Sequence, residues 1–146
     1  MTTYPNQTHA SPHFSWAELD PNGLAGPGDR LRLVGWCTAI GEPVRAHFGK
    51  PVHITSGFRP TSLQARLWAE ALAKYGSESA ARAHVAPPGH SEHETGRACD
   101  FWIEGVTPSQ IAAFLTTLPG VGGIGIYSSW VHADTRPRNG GPIARW

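Results

Sequence analysis

The stretch Ser91-Glu-His-Glu-Thr-Gly-Arg-Ala-Cys-Asp100 organises the rest of the chain. Within it, six residues separate His93 from Asp100, and a further histidine, His132, follows far downstream. Two imidazoles and one carboxylate are a common ligand set for a zinc ion that keeps its fourth position open. Because the chain has eight histidines, the spacing alone leaves two explanations open: a metal site, or ordinary surface and core histidines.

Two predicted strands carry these candidate ligands. Alternation along residues 97–103 places Asp100 on one face of the first strand. His132 and Asp134 share one face of the second strand, residues 131–136. Since paired strands lie ~4.8 Å apart, their pairing would bring Asp100 and His132 within reach of one ion.

The flanking segments predict helices and further strands. Apolar spacing and capping residues predict helices over residues 29–48 (kinked at Pro43), 61–75, 77–83 and 107–118, and strands over 51–56 and 121–126. This pattern predicts an α+β fold: a small, largely antiparallel sheet with helices packed on one face. We expect a flexible N-terminal lead over residues 1–13 and a single domain over 14–146. The tail to Trp146 has no pattern that predicts an element.

Composition argues against several classes of protein. Hydrophobic residues make up 40% of the chain and charged residues 16%, which is typical of a globular protein. The net charge of +1 gives no electrostatic reason to bind nucleic acid or an anionic membrane. The chain has no apolar run of ~18 residues, and its polar N-terminus lacks the hydrophobic segment of a signal peptide. We expect a monomer, synthesised in the cytoplasm, that binds neither nucleic acid nor membrane.

The chain has two cysteines, Cys37 and Cys99, too few to form a zinc site by themselves. One disulfide is possible. Two buried free thiols are favoured, because no export signal is seen and disulfides belong mainly to oxidising compartments.

Several segments resemble one family. Ser91-x-His93-x-x-Gly96-x-Ala98-x-Asp100 is similar to the signature of the D-alanyl-D-alanine carboxypeptidase family of zinc peptidases, also called the LAS group. Val-Ala-Pro-Pro-Gly at 85–89 and Ser-Gly-Phe-Arg at 56–59 resemble two upstream elements of that family. Residues 122–127 and 131–136 resemble the closing segment of one of its branches. The order of these segments agrees over nearly the whole chain, from about Phe14 to Trp146, and implies a hedgehog/D-Ala-D-Ala-peptidase-like fold.

The resemblance implies a role for each matching residue. The implied ligands of one Zn²⁺ ion are His93, Asp100 and His132. Arg59 would bind the substrate carbonyl or stabilise the oxyanion that develops on it; the alternative is a structural arginine paired with a carboxylate. Ser91 would steady the ligand loop or bind the substrate backbone, and Tyr127 would bind substrate.

One position departs from the family pattern. Many members carry a glutamate, the general base, three residues before the last histidine ligand, where this chain has Ser129. Serine cannot take up the proton. Asp134 is a candidate replacement base, and the equal alternative is that it orients a histidine ligand. Further candidates from the ligand loop are His90, Glu92 and Glu94.

Two functions follow. The first is a zinc metallopeptidase that hydrolyses peptidoglycan stem-peptide bonds by attack of zinc-activated water. It would act as a D-Ala-D-Ala carboxypeptidase or as a cell-wall endopeptidase of the endolysin type. Without a signal peptide, a phage-derived lysin acting on the cell wall fits well, and a cytoplasmic enzyme or a chain trimmed of its leader would also fit. The second is a catalytically weak or inactive zinc-stabilised binding module on the same fold, which the absence of the glutamate favours.

Overall fold

The computed structural model describes all residues, 1–146. The helices are α1 (Trp16–Leu19), α2 (Pro27–Trp36), α3 (Glu42–Phe48), α4 (Thr61–Tyr75), α5 (Glu78–Arg82) and α6 (Pro108–Leu115), with a π-helical turn at Cys37–Gly41 and a 3-10 turn at Glu92–Thr95. The strands are β1 (His9–Ser11), β2 (Phe14–Ser15), β3 (His53–Ser56), β4 (Ala98–Trp102), β5 (Gly123–Ile126), β6 (Val131–Asp134) and β7 (Ala144–Arg145). None of these helices combines the length and the apolar character that crossing a bilayer requires.

The main sheet has five strands in the order β3-β4-β6-β5-β7. The first three neighbouring pairs are antiparallel, and β5 and β7 are parallel. The predicted α+β class with a largely antiparallel sheet is therefore confirmed. Strand β7 lies in the tail for which the sequence predicted no element.

One face of the sheet packs on the helices to form the core. Trp36 of α2 lies at its centre, with its ring centroid 5.9 Å from that of Phe101 on β4. The Trp36 indole also donates a hydrogen bond to the carbonyl oxygen of Ala133 on β6, at 3.0 Å. Cys99 lies in the same core cluster. Strand alternation therefore leaves Asp100 and His132 on the opposite face.

The helix predicted over 29–48 is interrupted where Pro43 predicts a kink. The π-helical turn separates α2 from α3, and Pro43 lies in the first turn of α3, where a missing N–H costs no hydrogen bond. Helix α2 begins at Pro27, two residues before the predicted start at residue 29. The cap is Gly26, and Asp29 accepts a hydrogen bond from the Gly26 amide at 3.0 Å.

Part of the expected flexible lead is ordered against the domain. Strand β1 pairs with β2, and Ala10 is 1% exposed. Glu42 of α3 accepts hydrogen bonds from the Ser11 hydroxyl at 2.8 Å and the His13 amide at 3.0 Å. Residues 9–13 therefore do not behave as a loose lead, because burial of Ala10 and these hydrogen bonds hold them in place.

Candidate metal centre

The strand register places two of the predicted ligands side by side. Asp100 of β4 is the direct partner of His132 on β6, so both side chains rise from the same face of the sheet. His93 comes from the 3-10 turn, and Gly96 ends that turn with φ 81. This left-handed conformation, which glycine adopts readily, directs the chain into β4.

The three side chains converge on one oxygen atom. Asp100 Oδ1 lies 3.1 Å from His93 Nε2 and 3.1 Å from His132 Nδ1. All three candidate ligand atoms lie within 4.8 Å of one another. Ligand atoms around a tetrahedral zinc ion lie about 3.3 Å apart when each bond is about 2.0 Å. The two 3.1 Å distances to Asp100 Oδ1 are close to this value, and the remaining pair of ligand atoms lies within 4.8 Å.

Hydrogen bonds on the far side of each ring set the two histidine tautomers. His93 Nδ1 lies 2.8 Å from the carbonyl oxygen of Gly57, which can only accept, so Nδ1 carries a hydrogen. His132 Nε2 lies 2.7 Å from a carboxylate oxygen of Asp134 and likewise carries a hydrogen. In the neutral rings, the lone pairs of His93 Nε2 and His132 Nδ1 then face Asp100, as metal ligation requires.

The charges at the centre favour a cation. Burial alone would raise the pKa of Asp100, but the charge of His93 and the hydrogen bonds from both histidines outweigh it, so its pKa lies well below its usual range. Burial lowers the pKa of His93. Burial also disfavours the charged form of His132, but its hydrogen bonds to Asp100 and Asp134 dominate and raise its pKa. A metal ion binds an ionised carboxylate and neutral imidazoles, so Asp100 and His93 are in the states required, whereas His132 would give up the proton that its raised pKa favours.

Arg59 lies beside the ligand set. Its Nη2 donates to the second oxygen of Asp100 at 3.1 Å, its Nε to the Ser56 hydroxyl at 2.8 Å, and its Nη1 to Gln64 Oε1 at 3.3 Å. The structural alternative, an arginine paired with a carboxylate, is therefore present. Since guanidinium has five N–H groups, two remain after these three bonds, so the catalytic role stays a prediction.

The ligand loop is braced by its own polar side chains. The Ser91 hydroxyl accepts a hydrogen bond from the His93 amide at 3.3 Å, which agrees with the steadying role. Glu94 accepts from the Thr61 hydroxyl at 3.0 Å and from the Gly89 amide at 3.0 Å. These contacts give Glu94 a structural position in the loop.

Asp134 is fully occupied by contacts with protein. It is 0% exposed and does not line the cavity that contains the three ligands. Arg136 donates to Oδ1 through Nε at 2.9 Å and to Oδ2 through Nη2 at 2.6 Å, while His132 Nε2 also contacts Oδ2. Burial raises the pKa of Asp134, but these hydrogen bonds dominate and lower it to about 2. Of the two predicted roles, this geometry supports orientation of His132.

Two cavities meet at the centre. The outer cavity, about 460 Å³, is lined by Thr55, Asp100, Trp102, Ser129 and Trp130. The inner cavity, about 480 Å³, contains the remaining ligands and the predicted substrate residues among its lining, including Arg59, Ser91, His93, Tyr127 and His132. Asp100 and Trp130 line both cavities. The ligand set therefore lies where the two cavities join.

Two residues at the site were missed by the sequence reasoning. Gln64 is 0% exposed, and it links Arg59 to the carbonyl oxygen of Ala86, to which it donates at 2.8 Å. One sequence feature could have indicated its burial: Gln64 lies seven residues, or two helical turns, before Ala71 and so shares the buried face of α4. Trp146 packs its ring 4.9 Å from that of His132, and no sequence pattern pointed to it.

One protein-family model matches the sequence. The family model for D-alanyl-D-alanine carboxypeptidase (VanY) matches residues 44–117, a span that includes Arg59, His93 and Asp100 but ends before His132. A search of curated proteins returns no significant match.

Three proteins of known structure have regions similar to this chain. The LdcB LD-carboxypeptidase is 26% identical over 49% of this chain and 33% of its own, with a TM-score of 0.40. The vancomycin-resistance D,D-pentapeptidase VanY, solved with Zn(II), is 29% identical over 60% of this chain and 54% of its own, with a TM-score of 0.46. VanYB with D-alanine-D-alanine is 24% identical over 73% of this chain and 71% of its own, with a TM-score of 0.48. The chain thus spans about a third of the LdcB carboxypeptidase and about half of the VanY D,D-pentapeptidase.

Proposed function

The chain belongs to the D-alanyl-D-alanine carboxypeptidase (VanY) family, and from that premise we propose that it is a zinc-dependent peptidase acting on peptidoglycan stem peptides. The observation that carries this proposal is the convergence of His93 and His132 on Asp100 Oδ1, at 3.1 Å each. When bound, zinc would supply a Lewis acid that polarises the peptide carbonyl and activates a water molecule.

The chain's own residues would bind the substrate and hold the ligand set in place. Arg59, which keeps two N–H groups free, lines the inner cavity and would donate to the substrate carbonyl. Asp134 would keep the hydrogen of His132 on Nε2, away from the centre. This is a positioning role, because Asp134 does not reach the cavity.

The proton acceptor would come from the inner cavity. With Asp134 occupied and Glu94 bonded within its loop, His90 and Glu92 remain as candidates from the ligand loop. Both line the inner cavity. We assign the role to one of these two side chains, and we expect His90→Ala or Glu92→Gln to reduce turnover while bound zinc stays unchanged.

Two observations favour an endopeptidase over a carboxypeptidase. The two cavities share Asp100 and Trp130 in their lining, so a peptide bound at the centre would have room in both. A carboxypeptidase also needs a cation for the terminal carboxylate. Of the three arginines that line the inner cavity, the two partly buried ones already have carboxylate partners, since Arg59 pairs with Asp100 and Arg136 with Asp134, and Arg82, which pairs with no carboxylate, is exposed. We therefore propose that the enzyme cuts internal bonds, such as those of cross-links.

The products of digestion test this proposal. Zinc-loaded protein is incubated with a stem pentapeptide and with a cross-linked stem-peptide dimer, and the products are identified by mass spectrometry. We expect the dimer to be cut into monomers and the pentapeptide to be left intact. Release of D-alanine from the pentapeptide would show a carboxypeptidase instead. His132→Ala, which lacks one ligand, is the matched inactive control.

A binding module remains the second candidate because Ser129, which lines the outer cavity, stands at the position where many members of the family carry the glutamate that acts as base. In that case, zinc-loaded and folded protein would bind stem peptides without cutting either substrate. Co-sedimentation with insoluble peptidoglycan, measured beside the digestion, separates the two functions. Binding without new amino termini would favour the module and exclude the enzyme.

A further inference from the structure

Trp146 and Tyr127 form a hydrogen-bonded pair at the wall of the inner cavity. The indole Nε1 of Trp146 lies 2.8 Å from the phenol oxygen of Tyr127. An indole N–H can only donate, so the phenol oxygen must be the acceptor in this bond. The hydrogen of the Tyr127 hydroxyl therefore points away from Trp146.

The Tyr127 ring lies at the wall of the cavity in which the substrate would bind. The ring stacks on Trp130, with centroids 4.8 Å apart and planes inclined by 6°. Tyr127 lines the inner cavity together with Arg59 and His132. Its hydroxyl makes no second hydrogen bond within the protein. Burial raises the pKa of Tyr127, so the phenol keeps its hydrogen at neutral pH.

Trp146 is itself fixed from several directions. Its amide donates to the carbonyl oxygen of Ile124 at 3.1 Å, and its carbonyl accepts from the Ile126 amide at 2.9 Å. The Arg136 guanidinium lies 5.1 Å from the centroid of its ring. A Cβ atom at Gly125 would lie 2.6 Å from Trp146 Nε1, so any larger residue there would displace the indole. These contacts hold the indole N–H at the Tyr127 oxygen.

We propose that Tyr127 is a catalytic hydrogen-bond donor and that Trp146 is its positioning residue. The Tyr127 hydroxyl would donate to the oxygen of the scissile carbonyl as negative charge develops on it, from the cavity that Arg59 also lines. No proton is transferred in this role. A donor held in place before the reaction stabilises the developing charge without reorganising. This inference rests on the proposed peptidase function.

Tyr127→Phe and Trp146→Phe test the inference, because each removes one hydrogen-bonding group and keeps an aromatic ring. Loss of one such donor typically lowers turnover about 100- to 1,000-fold, and we expect Tyr127→Phe to do so with bound zinc unchanged. Trp146→Phe should give a smaller loss, about 10-fold, and the double variant should be no worse than Tyr127→Phe. Tyr4→Phe, which changes an exposed tyrosine outside the site, is the matched control.

A second readout does not depend on turnover. The affinity of a phosphinate dipeptide analogue, whose tetrahedral anion mimics the developing oxyanion, is measured by calorimetry on the zinc-loaded variants. We expect Tyr127→Phe to weaken its binding at least 10-fold and Tyr4→Phe to leave it unchanged. Wild-type affinity and turnover in a zinc-loaded Tyr127→Phe protein would overturn this inference alone. Wild-type protein that binds no phosphinate and cuts no peptide would overturn the proposed function together with it.

Discussion

Replacing Asp134 by asparagine separates the two roles that the sequence allows for this residue. In the structure, the Asp134 carboxylate accepts the hydrogen of His132 Nε2 at 2.7 Å. The side-chain amide of the introduced asparagine could instead donate to Nε2 through its NH₂ group. The ring hydrogen would then move to Nδ1, the nitrogen that faces Asp100. A protonated Nδ1 cannot bind a metal ion.

The size of the effect follows from this contact. Loss of a carboxylate partner behind a histidine ligand typically weakens metal binding about 10- to 100-fold, or about 1.4–2.8 kcal/mol. A residue that acts as the general base contributes about 100- to 10,000-fold to turnover and leaves zinc affinity alone. For Asp134→Asn we therefore expect weaker zinc binding and substantial recovery of turnover when zinc is raised to saturation.

The assay combines zinc competition and kinetics. Zinc affinity is measured by competition with a chromophoric chelator at neutral pH, and turnover is measured over a series of zinc concentrations. Glu104→Gln, which neutralises an exposed carboxylate, serves as the control and should match the wild type. Wild-type zinc affinity in Asp134→Asn together with lost turnover at saturating zinc would refute the positioning role and identify Asp134 as the base.

Two further predictions concern stability, and a third concerns the reactivity of the cysteines. Gly96→Ala should lower the free energy of unfolding, measured by urea titration, by at least about 1 kcal/mol. The reason is that φ of Gly96 is +81° and the added Cβ would collide with the carbonyl oxygen of Asp29. An unchanged midpoint of urea unfolding would contradict this prediction. Burial disfavours the charged form of Glu42, but its hydrogen bonds outweigh burial, so the pKa of Glu42 lies below 4.5. The stability that the ionised carboxylate contributes is present above pH 4.5 and is lost as pH falls through the folded pKa, so the loss of unfolding free energy in Glu42→Gln should shrink on acidification. A loss that stays constant with pH would contradict this prediction. Burial raises the pKa of Cys37 to about 12 and that of Cys99 well above its usual value, so thiol reagents should label neither until unfolding; rapid labelling of native protein contradicts this.

The sequence predicted the parts of the site that depend on strand geometry. Alternation places Asp100 and His132 on one face, and the observed register makes them direct partners, as strand spacing led us to expect. The two buried, unbonded cysteines also agree with the favoured alternative. The shared face of Asp100 and His132 follows from strand alternation, which a single sequence displays, whereas the free cysteines were inferred from the type of compartment.

Other parts depend on contacts that a single sequence does not display. The carbonyl oxygen of Gly57 sets the His93 tautomer, and a backbone contact across 36 residues leaves no signal in residue type. Strand β7 has two residues, too few to show a period, so the position of Trp146 was not predicted. The choice between base and orienting residue for Asp134 depends on which way its carboxylate points, and alternation fixes only its face.

The most direct measurement is a zinc titration of peptide cleavage. Protein stripped of metal by a chelator is mixed with the cross-linked stem-peptide dimer, and product is measured as zinc is added. We predict no cleavage without metal, full cleavage at one equivalent of zinc, and none for His132→Ala at the same zinc concentration. Cleavage by the stripped protein, or no cleavage by wild-type protein with one zinc ion bound, would contradict a zinc peptidase centred on His93, Asp100 and His132.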